Sequence, residues 1–193
     1  MPVPKGVVQK LLTRGGMALL KIARMGHPVL LEPALPVEDP GAPEIRRLVA
    51  DMVETMLDAP GVGLAAPQVF EKLRIFVMRL PAERNGGVAL APTVVINPAF
   101  EPVDDAKVLR WEGCLSIPGL RGAVPRWVRI RYSGVDCDGA PVGGEVDGLH
   151  ANVVQHEYDH LDGVLFPMRI TDFSTFGFTE ELDRFPPQME RAA

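Results

Sequence analysis

The chain reads as an α+β domain, and three observations carry that expectation. Segment Pro43–Gly61, PEIRRLVADMVETMLDAPG, sets Ile45, Leu48, Val49, Met52, Val53 and Met56 on one face at helical spacing. The middle of the chain is a series of short β-branched and aromatic runs separated by Gly, Pro, Asn and Asp. From Leu149 to Leu161 the pattern turns helical again. Helix, strands, then helix, with no β–α–β alternation, is the order of an α+β fold.

Taken in order, the first helix is stopped by Ala59-Pro60-Gly61. LRIFVM (Leu73–Met78) and TVVINPAF (Thr93–Phe100) read as strands, with Asn85–Gly87 in the loop between them. AKVLRWEGCLSIPG (Ala106–Gly119) begins as a strand and ends in a turn marked by Pro118 and Gly119. WVRIRYSGVDCDGAPVGGEVDG alternates in its first half, and Asp138-Gly139 is a hairpin signal. Gly163 suits the left-handed position beyond the second helix. A short last helix is expected over Phe178–Phe185, ahead of Pro186-Pro187.

At 193 residues the chain is long enough for one domain with a substantial core. Its net charge of −5 argues against direct DNA binding. No apolar run is long enough to span a membrane, so no membrane association is expected. Cys114 and Cys137 are too few and too far apart for a secreted disulfide framework, which favours a reducing compartment. Residues 1–31 carry Lys5, Lys10, Arg14, Lys21 and Arg24 and no acid. Their single threonine and lack of serine weaken a transit-peptide reading, and they lack the compact apolar core of a secretory signal. Residues 1–16 are expected to be a flexible basic leader, and 17–193 a single domain.

The chemistry concentrates in VVQHEYDHLDG (Val153–Gly163). His156 and His160, four residues apart, fall on one side of a helix, where two imidazoles can share a metal ion with Glu157 as general base beside it. A solvated charged helix could carry the same letters. Here Leu149, Val153, His156 and His160 share one stripe, and buried imidazoles need partners. The third ligand is open on spacing alone. His150 sits nearly opposite on the helix, His27 lies in a turn, and Cys137 is beside a hairpin tip. Cys114, at a Gly-marked strand end, is either a thiolate ligand or a small buried thiol. GVGLAAPQ (Gly61–Gln68) is no phosphate loop, since no lysine follows it. It is either a structural turn or a substrate loop, with Gln68 able to donate into a cleft.

Together, GVGLAAPQ, EGCLS (Glu112–Ser116) and QHEYDHLDG (Gln155–Gly163) resemble the three signature motifs of the peptide deformylases, in order and at compatible spacing. The resemblance runs from about Arg24 to about Phe178. It implies an α+β fold with antiparallel sheets around a central metal-binding helix, so that 17–193 would be a metallohydrolase domain. It implies hydrolysis of the N-terminal formyl group of formyl-methionyl nascent peptides, releasing formate. The metal ligands would be Cys114, His156 and His160, holding Fe²⁺, with Zn²⁺ or Ni²⁺ able to substitute. Glu157 would carry the proton, and the Gln68 amide and Leu115 N–H would face the developing oxyanion.

By the same resemblance, backbone at Val62, Gly63 and Gly113 would hold the peptide as an added strand. Val62, Leu149 and Val153 would line the methionine pocket, and Arg121 would meet the peptide further along or be a solvated loop charge. Glu112 and Arg126 match a family ion pair bracing the cysteine loop. The partner would be the nascent peptide, with the ribosome met transiently, in a bacterial cytoplasm or alternatively a mitochondrion or plastid. A zinc endopeptidase on the same helix, or a non-catalytic metal-stabilised binding protein, are the competing readings. The cysteine and GVGLAAPQ count against the first, and intact Glu157 and Gln68 against the second.

Overall fold

The computed structural model describes residues 18–188, so the leader expected over 1–16 lies outside the described residues. Helix α1 (Pro43–Asp58) opens on a proline, where the missing N–H has no intrahelical partner to lose, and stops before Pro60 and Gly61. Strand β1 (Gly63–Ala65) runs into a 3₁₀ turn, Ala66–Val69. β2 (Ile75–Leu80) is followed by a second 3₁₀ turn, Ala82–Arg84, and by β3 (Leu90–Pro102). Then come β4 (Lys107–Cys114), β5 (Ile117–Trp127), β6 (Arg129–Val135) and β7 (Pro141–Asp147). Helix α2 (Gly148–Leu161), β8 (Gly177–Phe178) and α3 (Thr179–Arg184) complete the described chain.

Every strand pair is antiparallel. One sheet has five strands in the order β1-β2-β3-β6-β7, and the other three, β4-β5-β8. β2 is buried on both faces, and its alternation divides the core. Ile75 and Val77 share a cluster with Val49, Met52 and Met56 of α1, whereas Phe76 and Met78 share one with Val153 and Val154 of α2. Burying each such side chain contributes about 1.5–3 kcal/mol. The three-stranded sheet joins through Ile117 and Val124 to Leu165 and Phe166, the segment after α2. Helix α2 is thus enclosed, with Ala151, Val154 and Leu161 fully buried.

The expected elements are present with shifted ends: the strand expected over 73–78 runs over 75–80, and the one expected over 93–100 extends to 90–102. Three strands have no counterpart in the expectations from sequence, the two-residue β8 among them. β5 runs through Pro118, Gly119 and Pro125 where a turn was expected, and β1 lies inside the glycine-rich stretch. β5 tolerates its prolines because only Leu120 and Arg121 pair with the two-residue β8, so most of that side needs no N–H donor. Gly163 is left-handed at φ +72 beyond α2, and an added Cβ there would meet the Leu31 carbonyl carbon at 2.7 Å.

Candidate active site

α2 carries His156, Glu157 and His160 into the space between the two sheets. β4 delivers Cys114 opposite them, where a register shift between Gly113 and Cys114 re-aims the strand end. Cys114 Sγ lies 3.2 Å from His160 Nε2, and one ligand atom each of Cys114, His156 and His160 fall within 4.8 Å of one another. The His156 Nδ1 is 2.7 Å from Glu112 Oε2. Burial raises the Glu112 carboxyl, but the bonds from His156 and Arg126 prevail and hold it at about 2. It is therefore a pure acceptor, Nδ1–H donates to it, and Nε2 is left for the cluster.

The support runs deeper. Arg126 grips Glu112 with two bonds, Nε to Oε1 at 2.7 Å and Nη2 to Oε2 at 3.0 Å. Its third arm, Nη1, donates to Asp159 Oδ2 at 2.7 Å, and Asp159 also accepts from Arg169 at 2.8 Å. The sequence reading did not single out Asp159. Its signal was available: an acid three residues after His156 on a buried helix needs a cation, and Arg126 was already assigned to one partner.

Burial opposes the thiolate of Cys114, yet His160 and His156 hold its pKa well below the ordinary thiol value. Burial pushes the Glu157 carboxyl up to about 7, against the pull of both imidazoles. Glu157 Oε2 and His160 Nδ1 are buried with no hydrogen-bond partner. A thiolate, two imidazoles, one of them oriented by Glu112, and an unpartnered carboxylate fit a divalent cation with one position left to water. Gln68 closes the site: its Oε1 accepts from Ala65 N–H at 2.8 Å, and its Nε2 lies 3.1 Å from Ser116 Oγ and 3.4 Å from Cys114 Sγ.

These residues stand at the inner end of a cleft of about 440 Å³, also lined by Val62, Gly63, Gly113, Leu115, Leu149 and Val153. β1 ends the first sheet and β4 ends the second, so both walls present free strand edges among the described residues. Gly63 lets this wall pass close to Glu157, since a Cβ there would lie 2.1 Å from Glu157 Oε1. Of the residues expected at the site, two stay outside the lining: His160, buried behind Cys114, and Arg121, paired with Asp183 at 2.7 Å and set over the Trp111 ring at 4.9 Å. Arg84, Trp111 and Thr179 line the cleft and were not anticipated. His150 lies on the far side of α2 with Nε2 3.2 Å from Tyr132 Oη.

A carboxylate beside a Cys/His/His set, in a cleft with strand edges on both sides, defines a metal-dependent hydrolase of extended chains. Comparison with known proteins narrows the class. The family model described as "Polypeptide deformylase" matches residues 19–175. Peptide deformylase 1 of Bordetella pertussis is 51% identical over 165 residues, 83% of this chain and 93% of that one. Peptide deformylase 1 of Nitrosomonas europaea is 47% identical over 169 residues, 86% of this chain and 95% of that one. A class I type b peptide deformylase from Acinetobacter baumannii, solved with Met-Ala-Ser bound, superposes with a TM-score of 0.75 at 33% identity, covering 80% of this chain and all of that one.

The chain belongs to the polypeptide deformylase family, metal-dependent hydrolases that remove the formyl group from N-terminal formyl-methionine of nascent polypeptides. Among the described residues no helix is long and apolar enough to cross a membrane.

Proposed function

We propose that Cys114, His156 and His160 hold Fe²⁺, with Zn²⁺ or Ni²⁺ able to take its place, and that Glu157 is the proton carrier of the deformylation. The observation that supports this most directly is the convergence of three donor atoms within 4.8 Å beside a buried, unpartnered carboxylate. One thiolate with two imidazoles suits a borderline first-row cation better than a hard one. When bound, the cation supplies Lewis acidity, polarising a carbonyl oxygen and lowering the pKa of water.

The chain's own groups do the rest. The peptide adds as a strand along backbone at Val62, Gly63 and Gly113, and the methionine side chain lies against Val62, Leu149 and Val153. Glu157, raised toward neutrality by burial, takes a proton from the attacking water and delivers it to the leaving amine. Oxygen adds to the formyl carbon, and the C–N bond of the formamide then breaks as the amine is protonated, giving formate and a free N-terminus. Negative charge builds on the formyl oxygen, where the Gln68 amide and the Leu115 N–H act mainly on the transition state. Residues 17–193 act as one metallohydrolase domain in a bacterial cytoplasm, meeting the ribosome transiently as nascent chains emerge. The net charge of −5 argues against direct DNA binding.

Formate release from formyl-Met-Ala-Ser by anaerobically purified protein of known metal content tests this reading. Glu157→Ala should keep the metal and lose about 10²–10⁴-fold in turnover, the range for a general acid–base group. Normal turnover by that variant would overturn the assigned role.

A further inference from the structure

The cleft has a direction. Glu157 and the metal-ligating residues mark its inner end, and two walls lead outward. One is β1 followed backwards, from Gly63 to Pro60. Because β2 pairs antiparallel to it, with Gly63 opposite Met78, β2 runs outward too, and the 3₁₀ turn Ala82–Arg84 follows at the outer end. The other wall is β4 followed backwards, from Cys114 to Trp111. Arg84 and Trp111 both line this outer part, and Thr179 at the start of α3 closes it.

Two arginines stand near the exit, and the structure treats them differently. Arg121 bonds Asp183 of α3 at 2.7 Å and lies over the Trp111 ring, so its charge is balanced and it bolsters the wall. Arg84 is exposed and makes no ion pair among the described residues. Glu112, also in the lining, is held by Arg126 and His156. Outside the reacting end, Arg84 is therefore the one uncompensated charge facing the cleft among the described residues.

We propose that Arg84 determines specificity downstream of the methionine, favouring a peptide with an acidic side chain at the second or third residue, while Asp183 keeps Arg121 out of that role. The proposal rests on the deformylase reading of the same cleft. An extended chain advances about 3.3 Å per residue, so an occupant seated at Glu157 passes between the two walls within a few residues. An exposed ion pair amounts to a preference of about two- to fivefold, weakening as salt rises. Arg84 touches substrate far from the reacting bond and binds ground and transition states alike, so the effect falls on KM rather than kcat.

The test compares formyl-Met-Ala-Glu with formyl-Met-Ala-Lys, and formyl-Met-Glu-Ala with formyl-Met-Lys-Ala, all as C-terminal amides, on the metal-loaded full chain. In one pair or both, glutamate is expected to give the lower KM. The gap should disappear in Arg84→Ala, reverse in Arg84→Glu, and survive in Arg121→Ala. Equal KM values in both pairs for the wild type, or a preference lost in Arg121→Ala and kept in Arg84→Ala, would overturn the proposal. Formyl-Met-Ala-Ser serves as the control for the activity itself. If it is not turned over, the deformylase reading fails separately, and calorimetric binding of Met-Ala-Glu-amide against Met-Ala-Lys-amide still decides the role of Arg84.

Discussion

Gly63→Ala adds one methyl group at the tightest point of the cleft. The new Cβ would lie 2.1 Å from Glu157 Oε1, 2.6 Å from its Cδ and 2.9 Å from its Cγ. Non-bonded atoms need at least about 3 Å, so the carboxylate must retreat by roughly 1 Å or β1 must leave its register. Neither movement is free: Glu157 is 4% exposed on a buried helix, and Gly63 pairs with Met78 of the fully enclosed β2. The backbone at Gly63 lies outside the left-handed region, so the penalty is steric alone. Overpacking of this kind costs about 1–3 kcal/mol, or a melting temperature lower by about 2–12 °C for a chain of this size. Displacing a catalytic group by about 1 Å costs on the order of 10²-fold in rate. The assay is kcat for formate release, measured with metal content and thermal melting on the same preparation. A variant that retains its metal and keeps kcat within twofold of the wild type would refute the claim that Gly63 fixes Glu157.

Asp159→Asn removes the charge that two arginines share, and leaves Arg126 buried with one carboxylate partner instead of two. Breaking a buried pair costs about 3–5 kcal/mol, so melting should fall by about 6–20 °C. Arg169→Ala, with a half-exposed side chain, should cost less than about 1 kcal/mol; equal losses in the two variants would contradict the network. Gly163→Ala combines a left-handed backbone with a 2.7 Å approach to Leu31, and should destabilise by about 1–3 kcal/mol in urea unfolding. His150 is held neutral, its pKa lowered by burial. Above its unfolded pKa no proton is exchanged on folding. As pH falls through that value the unfolded chain binds a proton that the folded chain resists, and stability declines until the folded pKa is passed. The melting temperature should thus drop between pH 7 and pH 5 more in the wild type than in His150→Gln, and parallel profiles would exclude this contribution.

What could be read beforehand follows from the range of the physics involved. Helical spacing is local, so α1 and the His156–Glu157–His160 face of α2 were legible from a few turns of chain. The hairpin at Asp138-Gly139 was legible for the same reason. β5 was hidden because Pro118, Gly119 and Pro125 read as breakers, and only its position beside a two-residue β8 makes them harmless. β1 was hidden because three residues carry no periodicity, and its pairing with β2 supplies the stability.

The site divides along the same line. Spacing alone left Cys114 undecided between ligand and buried thiol, because 46 residues separate it from His160 and nothing local brings them to 3.2 Å. The three motifs read jointly supplied that link. The free edges of β1 and β4 depend on sheet order, which no single segment encodes. Arg121 and Arg84 make the point most directly. In sequence both are arginines beside glycine or asparagine in loop-like segments, and the resemblance left Arg121 open between a peptide contact and a solvated loop charge. Asp183, 62 residues away, balances one of them, and no described acid balances the other. A side chain's type is written in the sequence, but whether its charge remains available is decided by the fold.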